Sequence, residues 1–250
     1  MKHRAIAKAG AINRAAINYG FSQIIPGKTT THELDWLLND FLKGRGAEAS
    51  FNGYMQYPAH SCISINNEIV HTIPRKNHVI QTADLLTIDI GTYYDYYHAD
   101  AADTRIVGGL GNAEDFALIA ANWAIIRGMM SIVKDGLSLL ELAATGKNIA
   151  IRYGVQIYND LCGHGISKVV HEPPTIYHTT RDLDPDIIFS LSEQKLCEGQ
   201  TICIEPVVTY GKPEAVMLDD GWTIVSKDGR NSSHMEHTIM VTKYGYEILS

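Results

Sequence analysis

Asp89 and Asp100 lie in a stretch, residues 85–107, that reads as two strands folded back on each other. The first strand is the buried-looking run 85–90, and the second runs from about 97 to 107. With the turn at Tyr94-Asp95, antiparallel pairing sets Asp89 directly opposite Asp100, their Cβ atoms about 4.5–5.5 Å apart. Two carboxylates that close repel unless a proton or a cation sits between them, so the hairpin reads as half of a metal site. Three further segments carry ligand-type side chains in strand-like surroundings. His164 stands between Gly163 and Gly165, where backbone approaches closely. Glu205 ends the apolar run Ile202-Cys203-Ile204, and Glu236 opens the run before Val241. Two Asp, two Glu and one His, without a thiolate, suit Mn, Fe, Co or Zn in a reactive centre better than a structural zinc site. Singly, each is more commonly a turn, surface or loop residue, and the spacing is too long-range for a local motif.

The elements that must bring these residues together follow from periodicity. Residues 3–19 read as an amphipathic helix, broken by Pro26-Gly27. A second helix opens with a capping box, Thr30 at N-cap and Glu33 at N3. Its buried stripe is Leu34, Leu37, Leu38, Phe41 and Leu42, and Gly44 and Gly46 stop it. Residues 51–74 are strand and loop. Asn112 caps a third helix whose expected inner face is Phe116, Ile119, Trp123, Ile126 and Met130. After Asp135-Gly136 a fourth helix spans 138–152, and from Val155 onward short strands alternate with turns. Helix–helix–strands thus occurs twice. Glu33-Leu34, Phe41 and Gly46 recur as Glu141-Leu142, Ile149 and Gly154 at a constant offset of 108. The pattern is that of an α+β domain made of two related halves with a site between them.

Bulk properties bound the function. A chain of 250 residues holds one large domain or two fused halves, and its formal charge of −7 shows no basic footprint for nucleic acid. No apolar run reaches the roughly 20 residues of a membrane span, and the N-terminus has no signal-like apolar core. A cytoplasmic protein is expected, with Cys62, Cys162, Cys197 and Cys203 as free thiols because they lack C-x-x-C spacing.

The whole chain resembles the type I methionine aminopeptidases. The resemblance is carried by Ser61-Cys-Ile-Ser-Ile-Asn66, His71-Thr-Ile-Pro74, Ile88-Asp-Ile90 with His98-Ala-Asp100, and Gly163-His-Gly-Ile166 with His171-Glu-Pro173. Ile204-Glu-Pro206 and the segment from Asp220-Gly-Trp222 to Glu236-His-Thr-Ile239 complete it. It implies the pita-bread fold, with two pseudo-symmetric helix-helix-strand halves around a central antiparallel sheet. A single catalytic domain over 1–250 is expected, its halves roughly 1–110 and 111–250. By the same resemblance Asp89, Asp100, His164, Glu205 and Glu236 match five ligands of two divalent ions (Co, Mn, Fe or Zn). Asp100 and Glu236 would bridge, Asp89 would chelate one ion, and His164 and Glu205 would complete the other. His71 and His171 match substrate-contacting histidines, and Glu205 is also the candidate proton carrier. Tyr54, Tyr57, Cys62 and Trp222, with Phe51 and Val170, match the pocket for the first residue. The implied reaction removes the N-terminal Met of nascent proteins when the second residue is small. The implied partners are nascent N-terminal peptides and the ribosome, for a monomer that touches neither nucleic acid nor membrane.

Three positions depart from the family. Thr72 stands where Gly is usual, so a looser turn is expected after His71. His234 replaces a common Gln two residues before Glu236 and is expected to perturb the site electrostatically. Tyr57-Pro-Ala-His60 ends on His where Lys is typical. Two rivals stand beside the main reading. A proline-type aminopeptidase or dipeptidase of the same fold usually carries a separate N-terminal domain, for which 250 residues leave no room. A catalytically inactive binding module of this fold would have lost ligands, and all five are present.

Overall fold

Residues 2–250 are described by the structure, a computed structural model. The chain opens with α1 (Lys2–Gln23), whose inner face carries Ile6, Ala9, Ile12, Ala16 and Ile17 at helical spacing. Helix α2 (Thr31–Lys43) begins with the expected capping box. Thr30 Oγ1 accepts from the Glu33 N–H at 3.1 Å, and the Glu33 carboxylate accepts from the Thr30 N–H at 2.9 Å. Strands β1 (Glu48–Ala49), β2 (Cys62–Ile65) and β3 (Glu68–Val70) lead into the hairpin β4 (Leu85–Tyr94) and β5 (Tyr97–Ile106). The second half repeats the order with α3 (Ala113–Ser131) and α4 (Leu139–Tyr153). It continues through β6 (Gln156–Ile157), β7 (Gly163–Gly165), β8 (Glu172–Ile176) and a fifth helix α5 (Pro185–Glu193). Strands β9 (Thr201–Ile204), β10 (Val207–Thr209), β11 (Ala215–Met217) and β12 (Ile224–Ser226) follow. The last are β13 (Ser232–His234), β14 (His237–Thr242) and β15 (Gly245–Ile248).

The internal repeat is visible in three dimensions. Helix α4 opens with its own capping box, Ser138 with Glu141, at the offset the sequence shows. Thr30 bridges to Val79 and Ser138 to Lys195, so each cap ties its helix to a later segment of its own half. Gly46 and Gly154 both take φ +69, the left-handed region where glycine carries no steric penalty. Each half also inserts a buried asparagine from its first helix under the central strands. Asn13 donates to the carbonyls of Ile90 and Ala99, and Asn122 donates to that of Ser233 at 2.7 Å.

Three expectations change. The hairpin turn sits one residue later, at Asp95-Tyr96, both with positive φ. The ladder therefore pairs Asp89 with Ala102 and Asp100 with Gly91, so the two aspartates are diagonal neighbours on one face. A two-residue turn with left-handed backbone at both positions matches the strand twist. Helix α3 buries Leu118, Ala121, Ile125, Ile126, Met129 and Met130, while Phe116 is exposed and Trp123 only half-buried. That helix is apolar on most sides, so periodicity alone left its inner face undetermined. Helix α5 lies where only strands and turns were expected. Asp184 caps it and Pro185 occupies its first turn, but only Leu191 is buried, which leaves little periodic signal.

The two halves meet along β5 and residues 234–238. The Thr238 hydroxyl accepts from the Asp100 N–H and donates to the Asp100 carbonyl, both at 2.8 Å. The Thr104 hydroxyl treats His234 the same way, accepting from its N–H at 2.9 Å and donating to its carbonyl at 2.7 Å. Between them the Glu236 N–H donates to the Ala102 carbonyl at 3.0 Å. Two threonine side chains thus stand in for ladder bonds and hold the strands that carry Asp100 and Glu236 in register. Thr238→Val keeps the shape and leaves the buried Asp100 N–H unpaired, which should cost about 1–3 kcal/mol. Urea unfolding of the metal-free chain reads this directly, and an unchanged midpoint would remove the seam's role.

Candidate metal centre

The site is assembled from strand ends and one hairpin face. Asp89 and Asp100 come from β4 and β5, and Cys62 on β2 lies directly across from Asp89. In the β9–β14 ladder Ile204 pairs with His237. Glu205 and Glu236 are the next residues of that register, so a second carboxylate pair faces the first. His164 sits at a bulge in β7, between glycines that no larger residue could replace. A Cβ on Gly163 would lie 2.2 Å from the Cys203 carbonyl, and one on Gly165 would lie 2.3 Å from the Pro173 carbonyl. The bulge turns the ring so that Nε2 is 3.3 Å from Glu205 Oε1, while Nδ1 bonds the Gly165 carbonyl at 3.0 Å.

The electrostatics are those of a site that wants cations. Burial raises the Asp89, Glu205 and Glu236 carboxyls well above their ordinary range, and the neighbouring carboxylates raise them further. Burial pushes Asp100 up to about 7. Asp89 Oδ1, Glu205 Oε1 and Glu236 Oε1 are buried without any hydrogen-bond partner, a costly state unless something else satisfies them. Oxygens of Asp89, Asp100 and Glu236 lie within 4.8 Å of one another, as do donor atoms of Glu205, His234 and Glu236. Orphaned, mutually close, oxygen-rich donors with imidazole at the edge fit divalent metal ions. Asp95 and Asp103 stay outside the cluster: Asp95 is the turn residue, and Asp103 pairs with Arg105 at 2.7 Å.

A cavity of about 310 Å³ opens onto this cluster. It brings together Asp89, Asp100, His164, Glu205 and Glu236 with His71, His171, Tyr54, Tyr57, Cys62 and Trp222. Phe51 also lines it, whereas Val170 packs in the apolar wall behind, against Phe51, Tyr57 and Cys62. Tyr57 is fixed by its hydroxyl, which donates to the carbonyls of Ser61 and Thr72, each at 3.0 Å, and its ring meets Trp222 edge-on at 5.1 Å. His171 opens onto the cleft with its ring 4.2 Å from that of His164 and 5.0 Å from that of Tyr54. Burial, then the adjacent His164, lowers its pKa to about 3, so it is a neutral N–H donor at pH 7. Burial lowers His71 as well. His71, which precedes the turn expected to be looser, takes φ +56, while Thr72 is buried and its hydroxyl accepts from that of Ser64 at 2.9 Å.

Sequence reasoning missed three contributors. Met55 lines the cavity on an exposed turn with no periodic signal. His178 accepts from the Glu205 N–H at 3.0 Å through Nε2 while Nδ1 faces the Leu161 carbonyl at 3.3 Å, and so anchors the backbone of Glu205. Cys203 places its thiol within 4.8 Å of His164 and Glu236, although burial pushes that thiol up and keeps it protonated. His234 is buried beside Glu205, and burial lowers it to about 3.

The profile of metallopeptidase family M24 matches residues 4–243. The methionine aminopeptidase of Mycoplasma capricolum is 33% identical over 242 residues, covering 97% of this chain and 92% of its own. The crystal structure of a methionine aminopeptidase from Thermotoga maritima superposes with a TM-score of 0.91 at 30% identity, covering 99% of this chain and 96% of that one. The prolidase from Pyrococcus furiosus shares the fold, with a TM-score of 0.77 at 22% identity, but this chain spans only 63% of it. No helix among the described residues is long and apolar enough to cross a membrane, and the four cysteines are free.

The carboxylates set a pH dependence with a definite sign. Their folded-state pKa values are raised, so the stability they contribute is present at low pH and lost as pH rises through those values. The histidines, whose folded values are lowered from 6.5, act in the opposite sense but only below that value. The metal-free chain should therefore lose thermal stability over the window from about pH 6.5, above which the histidines no longer oppose the trend, up through about 7, where Asp100 titrates, and excess Mn(II) should remove most of that loss. A metal-free melting temperature that stays flat over this window contradicts the carboxylate reading.

Proposed function

This chain belongs to metallopeptidase family M24, whose members use divalent metal, and from that membership we propose a methionine aminopeptidase acting on nascent chains. The observation that carries the proposal is the meeting of an acidic centre with a closed apolar pocket in one cavity of about 310 Å³. Such a cavity takes one unbranched side chain and leaves the peptide bond that follows it at the carboxylates. Tyr57, Cys62, Trp222 and Phe51 form the wall, with Tyr54 and Met55 at its rim. The cleft favours a small second residue because His71, His171 and Trp222 crowd its exit.

Two divalent ions fit the donor set, drawn from Co, Mn, Fe or Zn. Asp89 would hold one, His164 and Glu205 the other, with Asp100 and Glu236 shared between them. When bound, such ions lower the pKa of a coordinated water and polarise the scissile carbonyl. The remaining steps belong to side chains of this chain. Glu205, a carboxyl that burial holds above its ordinary range, takes the proton of the attacking water and carries it to the departing amine. His171, neutral at pH 7, donates its N–H to the carbonyl oxygen as negative charge develops there. His71, which lines the cleft, faces the scissile nitrogen. A single catalytic unit over 1–250, working as a monomer in the cytoplasm at the ribosomal exit, completes the proposal.

Cleavage of Met-Gly-Met-Met and Met-Ala, compared with Ala-Pro across Mn, Fe, Co and Zn, tests the reading. Turnover of Ala-Pro in place of the Met peptides makes the enzyme proline-type, and binding of no divalent ion at micromolar levels makes it a binding module. Asp100→Asn or Glu236→Gln should abolish turnover and weaken metal binding, and full turnover at saturating metal would remove the ligand assignment. His171→Ala should lower kcat by about 10²–10³, the scale of a lost oxyanion donor. An unchanged kcat removes that role and leaves the rest standing.

A further inference from the structure

His234 stands at the end of β13, two residues before Glu236, and no step above uses its side chain. It is 3% exposed, and neither ring nitrogen has a hydrogen-bond partner. An imidazole carries one donor and one acceptor when neutral, and leaving either unmet in the interior costs about 1–3 kcal/mol. Thr104 fixes both backbone groups of His234 at 2.9 and 2.7 Å, so the residue that carries the ring is held in place beside Glu205. Nε2 lies 3.6 Å from Glu205 Oε2, too far for a hydrogen bond. The other oxygen of the same carboxylate faces His164 at 3.3 Å, so Glu205 sits between two imidazoles.

The separations suit one shared ion. A His234 nitrogen, a Glu205 oxygen and a Glu236 oxygen lie within 4.8 Å of one another. Donors about 2.0–2.2 Å from a common ion are separated by up to about 4.4 Å, so a small inward movement brings all three onto it. We infer that His234 is a metal ligand, which adds a second imidazole to the ion held by His164, Glu205 and Glu236. The inference rests on the two-ion reading proposed above. Its consequence is asymmetry: one ion sits among oxygens of Asp89, Asp100 and Glu236, the other in a nitrogen-richer set. Imidazole suits Zn, Fe and Co, while all-oxygen sets suit Mg, Ca and Mn. The nitrogen-rich position binds the first ion and discriminates among metals.

Co(II) alone is the probe. The metal-free wild type, His234→Gln and Asp100→Asn are titrated calorimetrically, and the visible d–d absorption of each is recorded. His234→Gln should weaken the tighter Co(II) site by about tenfold or more, on the scale by which changes around a metal shift affinity, and should alter the d–d bands. Its metal-free unfolding midpoint should not fall, since no hydrogen bond is lost. Co(II) affinity and spectrum equal to wild type in His234→Gln, with binding lost in Asp100→Asn, overturn this inference alone. Failure of the wild type to take up Co(II) overturns the two-ion reading together with it. A measurement on the wild type needs no variant to fold: Co(II)-loaded protein should show two strongly shifted exchangeable imidazole N–H proton resonances, and a single one overturns the assignment.

Discussion

Four carboxylates buried around one cavity set the terms for everything else in this molecule. Burial raises the affinity of Asp89, Asp100, Glu205 and Glu236 for protons, neighbouring carboxylates raise all but Asp100 further, and three of their oxygens have no protein partner. No folding free energy is gained by bringing these groups together in a low-dielectric interior. The cluster persists because the scaffold around it holds the carboxylates against their repulsion. The same repulsion makes the cavity a strong cation site, and the energy stored in the metal-free cluster reappears as metal affinity.

The scaffold meets that demand through duplication. Each half supplies two helices, the second opened by a capping box, and one pair of antiparallel strands with two carboxylates on or next to them. The halves are sewn together by Thr104 and Thr238, each hydroxyl both accepting from and donating to one residue across the seam. These side-chain bonds take the place of ladder hydrogen bonds at the seam and keep the segments in register. The seam fixes the backbone of Asp100 through Thr238, that of His234 through Thr104, and that of Glu236 through the Ala102 carbonyl.

Around this charged centre the histidines are kept neutral. Burial lowers His171, His178 and His234 to about 3, so no imidazolium competes with a metal for the carboxylates. Neutral rings are also the useful form: His178 accepts a backbone N–H behind Glu205, and His171 offers a donor to the cleft. The apolar wall beside them gives the site its direction. The apolar residues Tyr57, Cys62 and Trp222 share one cavity with the carboxylates, and the proposed exopeptidase reading rests on that juxtaposition.

The sequence by itself determined the elements whose signals are local. The capping box at Thr30, the Asn112 cap, the start of the fourth helix near Ser138 and the two-strand hairpin are legible because each depends on neighbours within a few positions, and the 108-residue repeat because it recurs in the chain itself. Every site residue named from the sequence lines the cavity except Val170, which backs its wall. The residues alone, however, pointed only to a metal site, and the long-range set was drawn together by family likeness. Tertiary structure decided what local signals leave open. The hairpin register shifted because turn type, not pattern, selects between pairings that keep the same face inward. The inner face of α3 was set by the sheet it packs on, since the helix is apolar nearly all round. The place of His234, unpartnered beside Glu205, emerged only when β13 was laid along β5, because a buried imidazole's role is fixed by what lies within about 4 Å of it rather than by its neighbours in the chain.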